Sequence, residues 1–388
     1  MATMRRLSLT LLMLMLPLSF AASTANATLP DGFVEGTVGG SFDEPVGVTF
    51  DDNGRMYVWE RPGRVQIVEN GVKLATPLLD IHDEVGAWSD YGMLGFALDP
   101  NFLSNGYFYV LYVVDHYFLV NGGLPGYDPL ADEYNRATIV RLTRYTANPA
   151  NALRTALPAS RLVLLGESAS TGCPILHTSH GAGSLRFGMD GTLLATCGDG
   201  ASWEIADGGG DVGGSHATQA FNEGIITAAE NVGAFRAQLL SSLSGKILRL
   251  DPATGDGVPS NPWYDAANPR APRSRVWALG LRNPYRFTVR PESGSHLPSA
   301  GDPGSLFLGD VGWDSWEEIE VAATGGINFG WPIFQGLGTS PDYPAITTAN
   351  PDAPNPLYAP PGCNIPFFRF IDLIKQETLG VPSFPNPC

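Results

Sequence analysis

Ser184-Leu185-Arg186-Phe187, Met189-Asp190-Gly191 and Leu193-Leu194-Ala195-Thr196 make one unit: a strand, an Asp/Gly turn, and a second strand rich in large apolar residues. The unit recurs. Val46-Gly47-Val48-Thr49-Phe50 leads through Asp51-Asp52-Asn53-Gly54 into Met56-Tyr57-Val58-Trp59. Leu94-Gly95-Phe96-Ala97-Leu98 leads through Asp99 to Gly106 into Tyr107-Phe108-Tyr109-Val110. A fourth copy starts at Arg286-Phe287-Thr288-Val289 and resumes at Leu306-Phe307-Leu308-Gly309. Copies lie roughly 45 to 100 residues apart, which suits propeller blades carrying variable insertions. A β-sandwich also strings short strands together, so the repeat alone leaves both all-β architectures open. In a propeller, ligands bind in the central channel or on the face built from inter-strand loops. Functional residues are then expected at strand ends, scattered along the chain.

Helical periodicity is scarce. Its best instance is Ala228 to Leu243, where Val232, Phe235, Leu239 and Leu243 recur at helical spacing. No linker interrupts the chain before about residue 335, so residues 28–335 read as one β-propeller domain. Residues 336–388 are Pro-rich, lose the repeat, and read as a truncated final blade.

The first 27 residues read as a secretory signal. Arg5 and Arg6 form a basic start, Leu7 to Leu16 is a short apolar run ended by Pro17, and Ala25-Asn26-Ala27 is a small-x-small cleavage site. The mature chain is expected to begin at Thr28 and to be secreted or periplasmic, with no membrane span. The formal net charge is −16, and loss of the two signal arginines takes it to −18. Such a surface repels nucleic acid and anionic membranes, is compatible with calcium, and does not discourage a neutral sugar. Four cysteines, Cys173, Cys197, Cys363 and Cys388, favour disulfides in an exported chain. Loop length favours Cys173–Cys197 with Cys363–Cys388, and the other two connectivities stay open. No CxxC occurs to suggest zinc.

Three segments carry candidate chemistry. His180, followed by Gly181-Ala182-Gly183, stands just ahead of a strand, where an imidazole can act as a general base near neutral pH. In Ala278-Leu279-Gly280-Leu281-Arg282-Asn283-Pro284, the proline biases Asn283 toward an extended conformation, placing the pair where a strand meets a loop. Arg282 keeps its charge and presents a planar fork of donors to an oxyanion or carboxylate. Gly309-Asp310-Val311-Gly312-Trp313-Asp314 is an acidic, glycine-containing loop that can offer oxygens to a hard cation. Asp207-Gly208-Gly209-Gly210-Asp211 reads as either a second calcium loop or an acidic surface loop. Trp203, Trp263, Trp313, Trp316 and Trp331 are core residues or sugar-stacking platforms.

GMLGFALDPNF with NGYFYVLY, HGAGSLRFGMDG, LSGKILRLDP, ALGLRNP and GGINFGWP follow one another in that order. Together, over roughly residues 30 to 335, they resemble the glucose/sorbosone dehydrogenase family of soluble quinoproteins. The resemblance implies a six-bladed β-propeller that binds pyrroloquinoline quinone (PQQ) and Ca²⁺ on one face and oxidises a sugar hydroxyl, passing electrons to an unknown acceptor. By position, His180 matches the general base, Arg282 the stabiliser of the reduced quinone oxygen, and Asn283 its neighbouring amide contact. Gly312 and Trp313 match the residues whose main-chain carbonyls bind the catalytic Ca²⁺.

Two positions depart from the pattern. Asp90 stands where glucose-oxidising members usually carry Gln beside the cofactor, and Ser179 stands where an Asp commonly precedes the base. The carboxylate that orients His180 is therefore missing or supplied from elsewhere. Basic residues that clamp the cofactor's carboxylates are expected beyond GGINFGWP, where Arg369 and Lys375 match no family position. These departures leave a second class in play: a non-catalytic secreted binding module of the hedgehog-interacting type. A calcium-dependent lactone hydrolase would need a carboxylate-rich metal centre, which the sequence does not assemble.

Overall fold

The computed structural model describes residues 29–379. The signal region and Cys388 lie outside them, so the expected cleavage at Thr28 and the Cys363–Cys388 bridge do as well. The chain divides into two compact units, the first ending at Thr37 and the second beginning at Val38. In the first, the Phe33 amide donates to Pro30 O across a turn (3.1 Å).

The second unit is built from antiparallel sheets in chain order. Sheet one holds β1 (Pro45–Phe50), β2 (Met56–Glu60) and β3 (Arg64–Glu69), with the short β4 (Val72–Lys73) and β5 (Leu79–Asp80) both pairing with β3. Sheet two holds β6 (Met93–Leu98), β7 (Tyr107–Val113) and β8 (Thr138–Thr146), whose outer edge pairs with β9 (Leu162–Leu165) and β10 (Cys173–Ile175). Sheet three is β11 (Ala182–Phe187), β12 (Leu193–Cys197), β13 (Lys246–Leu250) and β14 (Val276–Leu279). Sheet four is β15 (Pro284–Val289), β16 (Leu306–Asp310) and β17 (Glu318–Ala322). Two short hairpins follow: β18 (Phe334–Gln335) with β19 (Gly338–Thr339), and β20 (Ala349–Pro354) with β21 (Phe367–Arg369), which runs into a helix at Phe370–Leu379.

The four repeat units of the sequence are the two innermost strands of these four sheets. Their first strands, β1, β6, β11 and β15, pack on one another in ring order. This is propeller geometry: each sheet is a blade, and each inner strand lines the axis.

Alternation of side chains across each blade builds the core between blades. On β7, Phe108, Val110 and Tyr112 pack with Tyr57, Val65 and Ile67 of blade one. Its intervening residues Tyr109, Leu111 and Val113 pack instead with Leu185, Leu193 and Leu248 of blade three. Blade three repeats the pattern, because Leu194 and Ile247 turn the other way onto Phe287, Leu306 and Leu308 of blade four. Residues of opposite parity thus hold opposite neighbours, so a one-residue register slip would break two interfaces together. Polar contacts add to this at the axis, where Thr196 Oγ1 donates to Pro284 O (2.7 Å) and Ser184 Oγ to Tyr285 O (3.2 Å).

The expected helix at Ala228 to Leu243 does not form. Two 3₁₀ segments, Ala228–Glu230 and Gly233–Gln238, take its place. Gly233 adopts φ +58°, and a Cβ there would lie 2.1 Å from Asp207 O, so the chain turns sharply where a helix would run straight. The apolar spacing was nonetheless a true burial signal: Val232, Phe235, Leu239 and Leu243 are all buried. The expected Cys173–Cys197 disulfide is present, joining β10 of blade two to β12 of blade three across a Cα–Cα distance of 6.4 Å.

Candidate functional site

The site forms where blades three and four begin. Within the β11–β12 hairpin, a bulge between Ala182 and Leu185 shifts the register by one residue, and the last regular pair is Ala182 with Cys197. Pairing continues outward through the Gly198 amide, which donates to Gly181 O (2.8 Å), and sets His180 against Asp199. A Cβ on Gly198 would meet His180 O at 2.3 Å, so only glycine permits this approach. His180 itself sits at φ +57°, a strained conformation for a side-chain-bearing residue and one that the surrounding contacts must enforce.

His180 Nδ1 lies 2.8 Å from Asp199 Oδ1. This is the orienting carboxylate whose source the sequence left open. Asp199 is held on every side. Its Oδ1 also accepts from the Ala201 amide (2.9 Å), and its Oδ2 accepts from Trp331 Nε1 (2.7 Å). Its amide donates to Arg282 O (2.7 Å), and its carbonyl accepts from Arg236 Nε (3.2 Å) and Nη2 (3.0 Å). His180 and Asp199 are 3% and 0% exposed. Burial holds the imidazole below its usual range despite the pull of Asp199, and the Arg282 charge pushes it the same way. Burial opposes ionisation of Asp199, but the charge and hydrogen bond of His180, together with Arg282, outweigh it and keep the carboxyl low. With Nδ1–H directed at a carboxylate, Nε2 carries the free lone pair, as a general base requires.

Arg282 and Asn283 occupy the crossing from β14 to β15, and Asp310 at the end of β16 fixes them. Its Oδ2 accepts from the Arg282 amide (2.9 Å) and its Oδ1 from the Asn283 amide (2.6 Å). Burial pushes the Asp310 carboxyl up to about 8, against those two backbone hydrogen bonds. The Arg282 guanidinium lies over the Trp331 ring, 5.6 Å from its centre, and Nη1 donates to Val311 O (2.9 Å) and Gly312 O (2.8 Å). Arg282 Nε and Ser179 Oγ are buried and make no hydrogen bond among the described residues. Asn283 lines a cavity of about 280 Å³ with Asp90, Gly181, Ala182, Tyr285 and Val311. This cavity brings Asn283 together with the exposed Asp90, while His180 and Arg282, the chain neighbours of its lining residues Gly181 and Asn283, are buried.

The Gly312-Trp313 loop closes the same region. Gly312 O already faces a cation, the Arg282 guanidinium, while the Gly312 amide donates to Glu317 Oε2 (3.1 Å). Trp313 Nε1 donates to Trp203 O (2.7 Å), and its ring meets Tyr343 edge-on, with centroids 5.4 Å apart. Tyr343 also packs edge-on against Trp331 at 5.1 Å, and Phe370 stacks on Phe235 beneath it. Among the described residues, no group of three or more His, Cys, Asp or Glu could hold a metal ion.

Sequence reasoning missed Asp199 and the Trp331 contact. Hairpin pairing beyond Thr196 points to Gly198-Asp199-Gly200 but not to one residue of it, and Trp331 shows in the sequence only as one tryptophan of GGINFGWP. Arg236, fully buried under Asp199, carried no signal at all.

The chain is thus a β-propeller that buries a histidine–carboxylate pair close to an arginine. The chain belongs to the glucose/sorbosone dehydrogenase family, whose model matches residues 42–359. It is 26% identical over 325 residues to the HIPL2 protein of Arabidopsis thaliana, covering 74% of this chain and 40% of that protein. It is 29% identical over 263 residues to the human Hedgehog-interacting protein, covering 63% of this chain and 30% of that one. The chain thus spans two fifths or less of the length of these relatives. The PQQ-bound aldose sugar dehydrogenase of Streptomyces coelicolor shares the fold, with a TM-score of 0.52 and 22% identity over 79% of this chain and 67% of that one. Four blades and two trailing hairpins are consistent with a six-bladed ring of the quinoprotein glucose dehydrogenase type. No helix among the described residues is long and apolar enough to cross a membrane.

Proposed function

We propose that the chain is an exported, PQQ-dependent dehydrogenase that oxidises an aldose or similar sugar hydroxyl. The observation that carries this reading is the buried His180–Asp199 pair beside Arg282, adjoining in the chain the cavity residues Gly181 and Asn283. His180 Nε2 takes the proton of the anomeric hydroxyl, and the Asp199 carboxylate offsets the charge that the imidazolium then carries. Bound PQQ would supply the acceptor for the hydride leaving that carbon. Arg282 supplies a fixed charge where an oxyanion develops, and a buried, already oriented donor is worth more there than in water. The unpartnered Arg282 Nε fits such an oxygen, and Asn283 lines the neighbouring cavity.

The fit to calcium is weaker. We assign the ion to the carbonyls of Gly312 and Trp313, but Gly312 O already accepts from Arg282, and among the described residues no carboxylate cluster adds charge. Arg282 already places a positive charge on Gly312 O, so no step of the reaction is routed through the ion. A sugar panel assayed with added PQQ, Ca²⁺ and a dye acceptor tests the proposal. The expected result is turnover that depends on PQQ, and no turnover with any sugar would sink it.

One observation favours a second reading. His180 and Arg282 are only 3% and 4% exposed, and Trp331, which lies against Arg282, is itself packed on Tyr343. A propeller used as a non-catalytic binding module, like the hedgehog-interacting relatives, would tolerate such closure. In that case the pair is retained for packing, and PQQ leaves the absorbance of the protein solution unshifted.

A further inference from the structure

We infer that Trp331 is a positioning residue that couples the base to the cation: its indole N–H fixes Asp199, and its ring face fixes Arg282. The role rests on the dehydrogenase reading, but its geometry does not. Nε1 donates to Asp199 Oδ2 at 2.7 Å, while Oδ1 of the same carboxylate meets His180 at 2.8 Å. A carboxylate is planar, so a donor on one oxygen sets the direction in which the other points. The Arg282 guanidinium lies over the indole at 5.6 Å. His180 and Asp199 belong to blade three, whereas Arg282 leads into blade four. The Trp331 side chain meets both Asp199 and the Arg282 guanidinium.

The indole is itself built in. Its amide donates to Gly280 O (3.0 Å), and its carbonyl accepts from Gln238 Nε2 (2.7 Å). Gly330 precedes it at φ +91°, and the ring is 3% exposed. A core tryptophan needs a partner for its N–H, and a main-chain carbonyl is the usual one. Here the partner is the carboxylate that orients the base. A neutral donor on Oδ2 draws charge from the carboxylate and weakens its hold on the His180 proton. Other groups act on the same pair: Arg282, Asp90 and His177 on His180, and Arg282, Tyr343 and Asp207 on Asp199. Lys246 acts on Asp199 as well, and Arg236 donates to its carbonyl.

The test is a Trp331→Phe variant, which keeps an aromatic ring beneath Arg282 and removes the indole N–H together with part of the bicycle. NMR of the ring protons follows the His180 titration in cofactor-free protein, so the result does not depend on turnover. The account expects the His180 midpoint to rise by half a pH unit or more, corresponding to a threefold or greater change in proton affinity. An unchanged midpoint in a folded variant would overturn it. If the variant does not fold, the wild-type indole resonance decides. It should lie downfield, as a hydrogen bond to a carboxylate requires, and should shift with the same midpoint as His180. An indole resonance indifferent to that titration would overturn the proposal. Failure of the dehydrogenase reading would appear separately, as absent turnover with the NMR coupling intact.

Discussion

Replacing Asp199 by asparagine changes one atom in the best-tethered side chain of the site. The amide can still accept from Trp331 and point its NH₂ at His180, so shape and burial persist. What changes is the tautomer. An NH₂ donor facing Nδ1 forces the proton onto Nε2, the atom that must accept from substrate. General-base catalysis is worth about 10²–10⁴ in rate, so turnover should fall by that factor, about 3–5.5 kcal/mol of barrier. With its NH₂ turned to His180, the amide also cannot accept from the Ala201 amide at that position (2.9 Å in the native protein), which costs about 1–3 kcal/mol of stability. Turnover with PQQ and a dye acceptor measures the first effect and denaturant unfolding the second. A variant that turns over within threefold of wild type would refute the view that Asp199 sets the tautomer of a catalytic His180.

Other perturbations follow from the same geometry. Gly198→Ala drives a Cβ to 2.3 Å from His180 O, and thermal unfolding should show a loss of at least ~1–3 kcal/mol together with loss of the pair. Removing the Cys173–Cys197 bridge, which closes a separation of 24 residues beside Asp199, should cost about 2–4 kcal/mol in urea. Burial lowers His180, so the acid limb of kcat/KM against pH should fall below the ordinary imidazole value of ~6.5 and leave the rate flat across neutrality. The linked stability has the same sign: it is present above the unfolded value and is lost as pH falls toward the folded one, where the unfolded chain binds the proton more readily. An acid limb above 7 would contradict this. Leu194→Ala opens a cavity between blades three and four, and should cost about 2–5 kcal/mol with little effect on PQQ binding.

The inner hairpins of blades two and three were legible because Asn-Gly and Asp-Gly turns separate strands that are buried along most of their length. The outer strands were less so. The outer edge of β8 is shared between two short strands, β9 and β10, parted by irregular chain, and neither carries a turn signal of its own. The stretch from 228 to 243 shows why periodicity misleads: Val232, Phe235 and Leu239 face one cluster, but through two tight turns of 3₁₀ chain pivoting at Gly233. Within the candidate site, His180 and Arg282 stand out through their place beside glycines and a proline at expected strand ends and through the family motifs that contain them. Asp199 could not be assigned from composition, since a one-residue bulge decides which residue of Gly198-Asp199-Gly200 faces the base. The engagement of Gly312 O by Arg282 is a tertiary contact across 30 residues, and no local pattern announces it.

The most direct measurement compares wild type with His180→Ala, each loaded with PQQ and Ca²⁺, for cofactor absorbance and for sugar-dependent dye reduction. If His180 is the base of a quinoprotein dehydrogenase, the variant keeps the bound-cofactor spectrum and loses sugar-dependent reduction by about 10² or more. If neither protein takes up PQQ, or both reduce the dye equally, the assignment of this propeller as a sugar dehydrogenase is contradicted.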